Sequence, residues 1–106
     1  MKKLNDELDS RLENILADLP NMFDSHDFIN RLIEKFNDFY EELLLEYKKA
    51  KDPTATLHSR IGMYLSRLSR YGKILKKLQA DGTPELNHSL NIKGYKSYNH
   101  VWIKNM

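Results

Sequence analysis

Residues 24–47 read DSHDFINRLIEKFNDFYEELLLEY, and their apolar side chains recur every three or four residues. This is the period of one face of an α-helix, and the face is wide and rich in aromatic rings. The stripe comprises Phe28, Ile29, Leu32, Ile33, Phe36, Phe39, Tyr40, Leu43, Leu44 and Tyr47. Asp24 or Ser25 can cap the first turn, and Pro53 follows the last one. We therefore predict one long helix at the centre of the core.

The segment before this helix predicts a narrower amphipathic helix over residues 3–19. Pro20 ends it, because proline disfavours helical geometry in the residue before it. A narrow apolar stripe suits packing along another helix, either within the chain or in a second copy. We therefore predict residues 1–19 as an acidic helix and a candidate association element, through which two copies could form a homodimer. The stripe consists of Leu4, Leu8, Leu12, Ile15 and Leu19.

The segment after the central helix predicts a third helix over residues 54–71 and then a non-helical tail. The buried side of this helix is expected to contain Leu57, Ile61, Leu65 and Leu68. Residues 73–78 favour extended structure, and residues 101–103 favour a short strand with Trp102 in the core. The predicted fold is mainly α: three helices followed by a short β-hairpin or an irregular tail, in a single domain spanning residues 1–106.

The composition indicates a small protein without thiol chemistry. A chain of 106 residues suffices for one modest core, and the absence of cysteine excludes disulfides, thiolate zinc sites and a cysteine nucleophile. The net charge of +2 is strongly segregated. Residues 1–52 hold 8 Lys and Arg against 13 Asp and Glu, a net charge of −5, and residues 53–106 hold 9 against 2, a net charge of +7. Such asymmetry suggests an acidic scaffold with a basic surface for nucleic acid; alternatively, the two halves pack against each other or against a second copy.

The basic half contains two candidate nucleic-acid-binding segments. On a helical wheel three arginines and two serines share one side of the third helix, without the acidic partners at i+4 that support a merely solvated face. In the tail, residues 93–104 interleave cations with aromatic rings that could stack on bases. The alternative is a solvated helix face and a packed tail. The predicted contact residues are Ser59, Arg60, Ser66, Arg67, Arg70, Lys73, Lys76, Lys77, Lys93, Tyr95, Lys96 and Tyr98.

Residues 54–73 resemble a helix-turn-helix DNA-binding motif with Gly62 at the turn. His58 departs from the pattern, because the motif has a very small residue at that position, and Leu65 falls within the part of the second helix that is usually turned toward DNA. A basic hairpin in the tail would then resemble the wing of a winged-helix domain, and the resemblance implies DNA binding on a variant of that fold. An unbroken helix through Gly62 explains the same pattern at a cost of about 1 kcal/mol for one interior glycine. The matching apolar positions are Leu57, Ile61, Met63, Leu68 and Tyr71.

The layout of the whole chain also resembles small prokaryotic proteins that are found among phage, mobile-element and defence genes. The resemblance implies no established activity. It draws attention to His26, His58 and Trp102, and it implies a tail that forms an ordered loop closing over the helices. The matching segments are His26-Asp27-Phe28-Ile29, Leu57-His58-Ser59, Ile61-Gly62, Leu65, Ser89, Asn91-Ile92, Gly94 and Trp102.

No catalytic, metal-binding or cofactor site is predicted. Residues 24–27, Asp-Ser-His-Asp, have the residue types of a catalytic triad, but neighbours at a helix start cannot form the relay, and helix capping is the expected role. The four histidines form no close pair on a helix, and the isolated glycines form no phosphate-binding loop. No apolar run approaches the roughly 18 residues of a membrane span, so we expect a cytoplasmic protein without a membrane partner.

These patterns predict a non-enzymatic nucleic-acid-binding or regulatory protein of a prokaryote or phage. The alternative is a small protein-binding factor, such as an inhibitor, an antitoxin or a phage counter-defence protein, that acts through its acidic half. Such a surface would mimic nucleic acid or dock a basic enzyme. Its candidate residues are Asp6, Glu7, Asp9, Glu13 and Asp18.

Overall fold

The computed structural model describes residues 2–105, and it describes the side chains of residues 4–105. Within this part of the chain five helices and four strands follow one another. The helices are α1 (Lys2–Asp9), α2 (Leu12–Ala17), α3 (Ser25–Lys35), α4 (Asn37–Glu46) and α5 (Pro53–Arg70). The strands are β1 (Met22–Asp24), β2 (Ile74–Lys76), β3 (Leu86–Leu90) and β4 (Lys96–Lys104). None of the helices described is long and apolar enough to cross a bilayer.

Strand β4 organises an antiparallel sheet of four strands. Strand β1 pairs with one edge of its C-terminal half, β2 pairs with the other edge of that half, and β3 pairs with the N-terminal half. At the junction, the Val101 backbone accepts a hydrogen bond from Lys77 N and donates one to Glu85 O. Both groups of one residue face the same edge, so β2 and β3 lie end to end along it.

The fold is therefore α+β, and the prediction of a mainly α fold with a short hairpin or an irregular tail is wrong. The sheet produced little sequence signal because β1 and β2 contain three residues each, too few to display a period of two. Strand β4 contains nine residues, but its partners come from both ends of the chain.

Both long helices predicted in the N-terminal half are divided in two. The first is interrupted at Ser10 and Arg11, whose side chains each donate a hydrogen bond to the backbone carbonyl of Glu7 at 2.9 Å. The second is interrupted at Phe36, which has the non-helical backbone angles φ −133° and ψ 52°. Apolar residues on both sides of each break are buried in the same core, and for this reason the sequence period shows no interruption.

The predicted association stripe belongs to the core of the chain itself. Its five members, Leu4, Leu8, Leu12, Ile15 and Leu19, are each at most 8% exposed. They lie in one cluster with the buried residues of α3, α4 and α5. These side chains are therefore packed within the chain and expose little apolar surface to a second copy.

Helix α5 is confirmed as one helix, and it is continuous through Gly62. The turn that the helix-turn-helix resemblance places at this residue is therefore not formed. The predicted hairpin is formed by β3 and β4, and β4 continues from it into the core. There Trp102 is fully buried, as predicted, and its Nε1 donates a hydrogen bond to Ser25 Oγ at 2.9 Å.

Candidate functional site

The β3–β4 hairpin, residues 86–100, has two chemically different faces. Because side chains alternate along a strand, its register assigns each cross-strand pair to one face. The outer face holds Leu86 with His100, His88 with Tyr98, and Leu90 with Lys96. The inner face holds Asn87 with Asn99 and Ser89 with Ser97. The polar inner face supplies the hydrogen bonds to α3, whereas Leu86, Leu90 and Tyr98 on the outer face are 49%, 62% and 70% exposed, the reverse of the usual one-sided antiparallel sheet.

Residues 24–27 cap helix α3 and also hold this hairpin. One carboxylate oxygen of Asp24 accepts the backbone N–H of Asp27 at 2.7 Å, and the Asp27 carboxylate accepts that of Asp24 at 3.0 Å. This reciprocal pair is a capping box, so the predicted capping role is confirmed. The second oxygen of Asp24 accepts from Asn87 Nδ2 at 2.7 Å. Burial raises the pKa of the Asp27 carboxyl above its ordinary value.

His26 makes the second contact between α3 and the inner face of the hairpin, and it is buried. Its Nδ1 lies 3.0 Å from the carbonyl oxygen of Ser89, so this nitrogen carries a proton and donates it. Nε2 then accepts from the Ser97 hydroxyl at 3.3 Å, and the His26 backbone N–H donates to Asn99 Oδ1 at 3.2 Å. Both ring nitrogens are therefore engaged in positioning the hairpin.

His58 on α5 holds the turn of the hairpin through Asn91, which is 3% exposed. Asn91 Oδ1 accepts the backbone N–H groups of Lys93 and Tyr95 at 2.9 and 3.2 Å, which fixes the orientation of the amide. Its Nδ2 therefore donates to His58 Nδ1 at 3.3 Å, and the ring proton lies on Nε2, which donates to Tyr40 Oη at 2.7 Å. Burial lowers the pKa of His58 to about 4, so the ring is neutral at neutral pH.

These contacts leave a cleft of about 560 Å³ between α5 and the hairpin. The volume falls within the roughly 300–1,000 Å³ that is usual for ligand sites. A Cβ atom on Gly62 would meet no atom within 4 Å, so the cleft is open beside the middle of α5. Its helix wall includes Ser59, Gly62, Met63, Ser66 and Arg70, and its hairpin wall includes Tyr95, Tyr98 and His100.

The three arginines that the sequence placed on one face of α5 lie together beside this cleft, and we call Arg60, Arg67 and Arg70 the arginine ridge. Arg60 and Arg70 are exposed, and Arg67 is half-buried with its guanidinium carbon 5.5 Å from the centre of the Tyr71 ring. Arg70 also lines the cleft. Among residues 4–105, no Asp or Glu carboxylate lies within 4 Å of any of these guanidiniums.

Two of the predicted lysines are paired with acidic residues. Lys77 Nζ lies 2.6 Å from the Glu85 carboxylate, and Lys93 Nζ lies 3.9 Å from that of Glu41. Lys96 is exposed on the outer face of the hairpin and forms no ion pair within the described part of the chain. Lys96 is therefore free to bind an anion, whereas Lys77 and Lys93 would first have to leave their carboxylate partners.

The other two predicted lysines lie apart from the cleft walls. Lys73 borders a separate cleft that also contains Asp9 and Glu13. The Lys76 ammonium lies 5.6 Å from the centre of the Trp102 ring. Neither residue lines the cleft between α5 and the hairpin.

The two predicted stacking tyrosines have different environments. The Tyr95 hydroxyl donates to the Asp52 carboxylate at 2.8 Å, which ties the hairpin to the start of α5 and raises the pKa of Tyr95. Tyr98 is 70% exposed, and one face of its ring is stacked on His88 with the ring centres 4.5 Å apart. Of the two rings, Tyr98 is therefore the one available to a ligand.

The sequence predicted five of the residues that line the cleft: Ser59, Ser66, Arg70, Tyr95 and Tyr98. It did not predict His88 and His100, which join the aromatic side of the site through the strand register. The alternation Leu86-His88-Leu90 was the available signal, but on its own it favours an apolar face turned inward.

The acidic half is largely engaged within the chain. The Glu7 carboxylate pairs with Arg11 at 3.0 Å, and Asp18 pairs with Lys35 at 2.6 Å. Asp9 accepts a hydrogen bond from the Tyr64 hydroxyl at 2.6 Å. Three of the five carboxylates predicted to meet a partner therefore already have an internal one.

No protein-family model, no curated protein and no solved structure matches this chain. Within residues 2–105, no group of three or more His, Asp and Glu side chains is arranged to hold a metal ion. The chemistry of the cleft follows from its own groups: guanidiniums at its border, an aromatic ring on one wall and hydroxyls on the other. Such a set suits a polyanion that also carries flat rings.

Proposed function

We propose that the protein binds nucleic acid along the arginine ridge and in the cleft beside it, and that it does so without catalysing a reaction. One observation carries the proposal. Arg70 of the arginine ridge and the exposed ring of Tyr98 line the same cleft, and no guanidinium of the ridge has an acidic partner among residues 4–105. A solvated helix face would explain the exposed arginines, but it would not explain why the Tyr98 ring is exposed at the same cleft.

The proposed contacts divide according to their chemistry. The arginine ridge and Lys96 neutralise phosphates, and the release of counterions from the strand provides most of the affinity. Ser59 and Ser66 lie on the same helix wall and can donate hydrogen bonds to phosphate or sugar oxygens. Lys73, Lys76, Lys77 and Lys93 supply general positive potential, because their positions or partners keep them from the cleft.

The test compares two double variants with equal loss of charge. Arg60→Ala/Arg70→Ala removes the two exposed members of the ridge, and Lys48→Ala/Lys49→Ala removes two exposed cations beyond the end of α4. We expect the arginine variant to weaken binding of a fluorescently labelled oligonucleotide by about tenfold or more, since two charge-assisted contacts are lost. Fluorescence anisotropy between about 50 and 200 mM salt measures both affinity and its salt dependence.

The salt dependence distinguishes contact from general attraction. Each lost phosphate contact reduces the magnitude of the slope of log K against log salt concentration by roughly 0.7 to 0.9. The magnitude of the slope should therefore fall by about 1.5 in the arginine variant and by much less in the lysine variant. Equal effects of the two variants, or no binding by the parent protein, would refute the proposal.

A further inference from the structure

We infer that the cleft takes a single strand and seats one unpaired base against Tyr98. This inference rests on the proposed nucleic-acid binding and specifies its substrate as single-stranded DNA or RNA.

The exposed side of helix α5, which carries the arginine ridge, lies between two other elements of the fold. The hairpin stands on one side and forms the cleft. On the other side Leu4 and Asn5 of α1 lie in the same surface depression as Arg60 and Arg67. A helix that reads a duplex enters the major groove with its side chains leading, whereas the exposed side of α5 lies in a groove between two other elements. A flexible single strand can follow the exposed side of α5 between the hairpin and α1.

The aromatic wall has the form of a stacking platform. The Tyr98 ring is nearly parallel to that of His88, with an angle of 27° between the ring planes, so one of its faces is already covered. The side chain is 70% exposed and lines the cleft. Bases stack on such rings when they are not already stacked in a duplex, and this contact tolerates any base because each has a π-face.

The remaining walls offer hydrogen bonds to the edge of a base. The side chains of Ser59, Ser66 and His100 line the cleft and form no hydrogen bond with the described part of the chain. Arg70 adds a planar donor at the border. The open space beside Gly62 gives a flat ring access to the helix backbone. Donors and acceptors on the edge of an unpaired base are free to meet these groups.

The experiment uses the full chain with labelled 12-nucleotide strands of one mixed sequence, as DNA, as RNA and as the matching DNA duplex. We expect a single strand, of either sugar, to bind at least about tenfold more tightly than the duplex. A strand that carries 2-aminopurine should change its fluorescence when the base moves from the strand stack to the tyrosine. Tighter binding of the DNA strand or of the RNA strand would show which of the two nucleic acids supplies the base.

The two variants compared are Tyr98→Ala and Leu45→Ala, because the side chains are 70% and 67% exposed and Leu45 lies on α4, outside the cleft and away from the arginine ridge. We expect Tyr98→Ala to weaken single-strand binding by about five- to 150-fold and to abolish the 2-aminopurine response. Leu45→Ala should change affinity by less than about threefold, and equal thermal midpoints would show that both variants fold.

The outcomes separate the inference from the function beneath it. Duplex binding as tight as single-strand binding, or equal losses from Tyr98→Ala and Leu45→Ala, would overturn the single-strand site while nucleic-acid binding stands. Binding of neither form would overturn both.

Discussion

The leucine stripe of α1 and α2 and the outer face of the β3–β4 hairpin are both apolar surfaces, yet the chain buries one and exposes the other. Leu8 is fully buried, whereas Leu90 on the hairpin is 62% exposed. This difference in burial follows from where the polar side chains on the opposite side of each element point. The N-terminal helices turn carboxylates such as Glu13 to water, whereas the hairpin turns its polar side chains toward α3.

This comparison indicates where a partner surface arises in a small fold. The hairpin is held by specific hydrogen bonds to Asp24 and His26, so its position does not depend on burial of its apolar face. That face is consequently free for a ligand. The helical stripe has no such alternative, because its packing into the core is what holds α1 and α2 in place.

The largest effect is expected from placing a charge on each surface in turn. Leu8→Asp buries a carboxylate without a partner and should lower the free energy of unfolding by at least about 3–5 kcal/mol. Leu90→Asp places the same group in water and should change it by about 0.5 kcal/mol or less. Urea denaturation followed by circular dichroism measures both. A fully folded Leu8→Asp protein would contradict the burial of the stripe.

A smaller effect is expected from acid, which acts on the polar side of the hairpin. The pKa of His58 is about 4 in the fold and returns to its ordinary value of 6.5 when the chain unfolds. The unfolded chain therefore takes up the proton first, so stability is complete above about pH 6.5 and falls as the pH approaches 4. We expect a loss of about 1–2 kcal/mol, reduced by the partial exposure of the ring.

The measurement is the urea midpoint at about pH 7 and pH 4.5 for the parent and for His58→Gln, which has no titrating ring. The variant is less stable at neutral pH, but its stability should depend less on pH over this window. Identical pH dependence of the two proteins would contradict the assignment of a neutral, half-buried His58.

The smallest effect is expected at the helix wall of the cleft. Gly62→Ala adds a methyl group that meets no atom within 4 Å, and it removes the conformational freedom of an interior helical glycine. We expect the free energy of unfolding to rise by about 0.5–1 kcal/mol. Thermal and urea denaturation measure the change. A decrease in stability would show that the cleft is filled in the folded chain.

Local periodicity predicted the features that depend on one element at a time. The spacing of α5 gave both its buried side and its arginine ridge, because a continuous helix assigns every residue to a face. The cap at Asp24 and the core position of Trp102 also followed from residue type and place. The same reasoning missed the breaks at Ser10 and Phe36, because an apolar stripe continues when two short helices pack on one core.

The faces of the hairpin could not be predicted in this way. Which side of β3 turns inward depends on its register with β4 and on hydrogen bonds to α3, and these join residues far apart in the chain. The His26 ring meets Ser89 across 63 positions, and Trp102 meets Ser25 across 77. A pattern of alternating residues carries no information about such partners.

The sequence by itself determined the absence of thiol chemistry, the separation of charge between the two halves, the extent of α5 and the arginines that it displays. These properties depend on composition and on helical spacing, which is local. The tertiary structure decided that the leucine stripe is internal, that the tail completes an antiparallel sheet and that its aromatic face borders a cleft. The physical reason is that each of these depends on which polar groups across the fold satisfy one another, here the buried contacts of Asp24, His26 and Asn91.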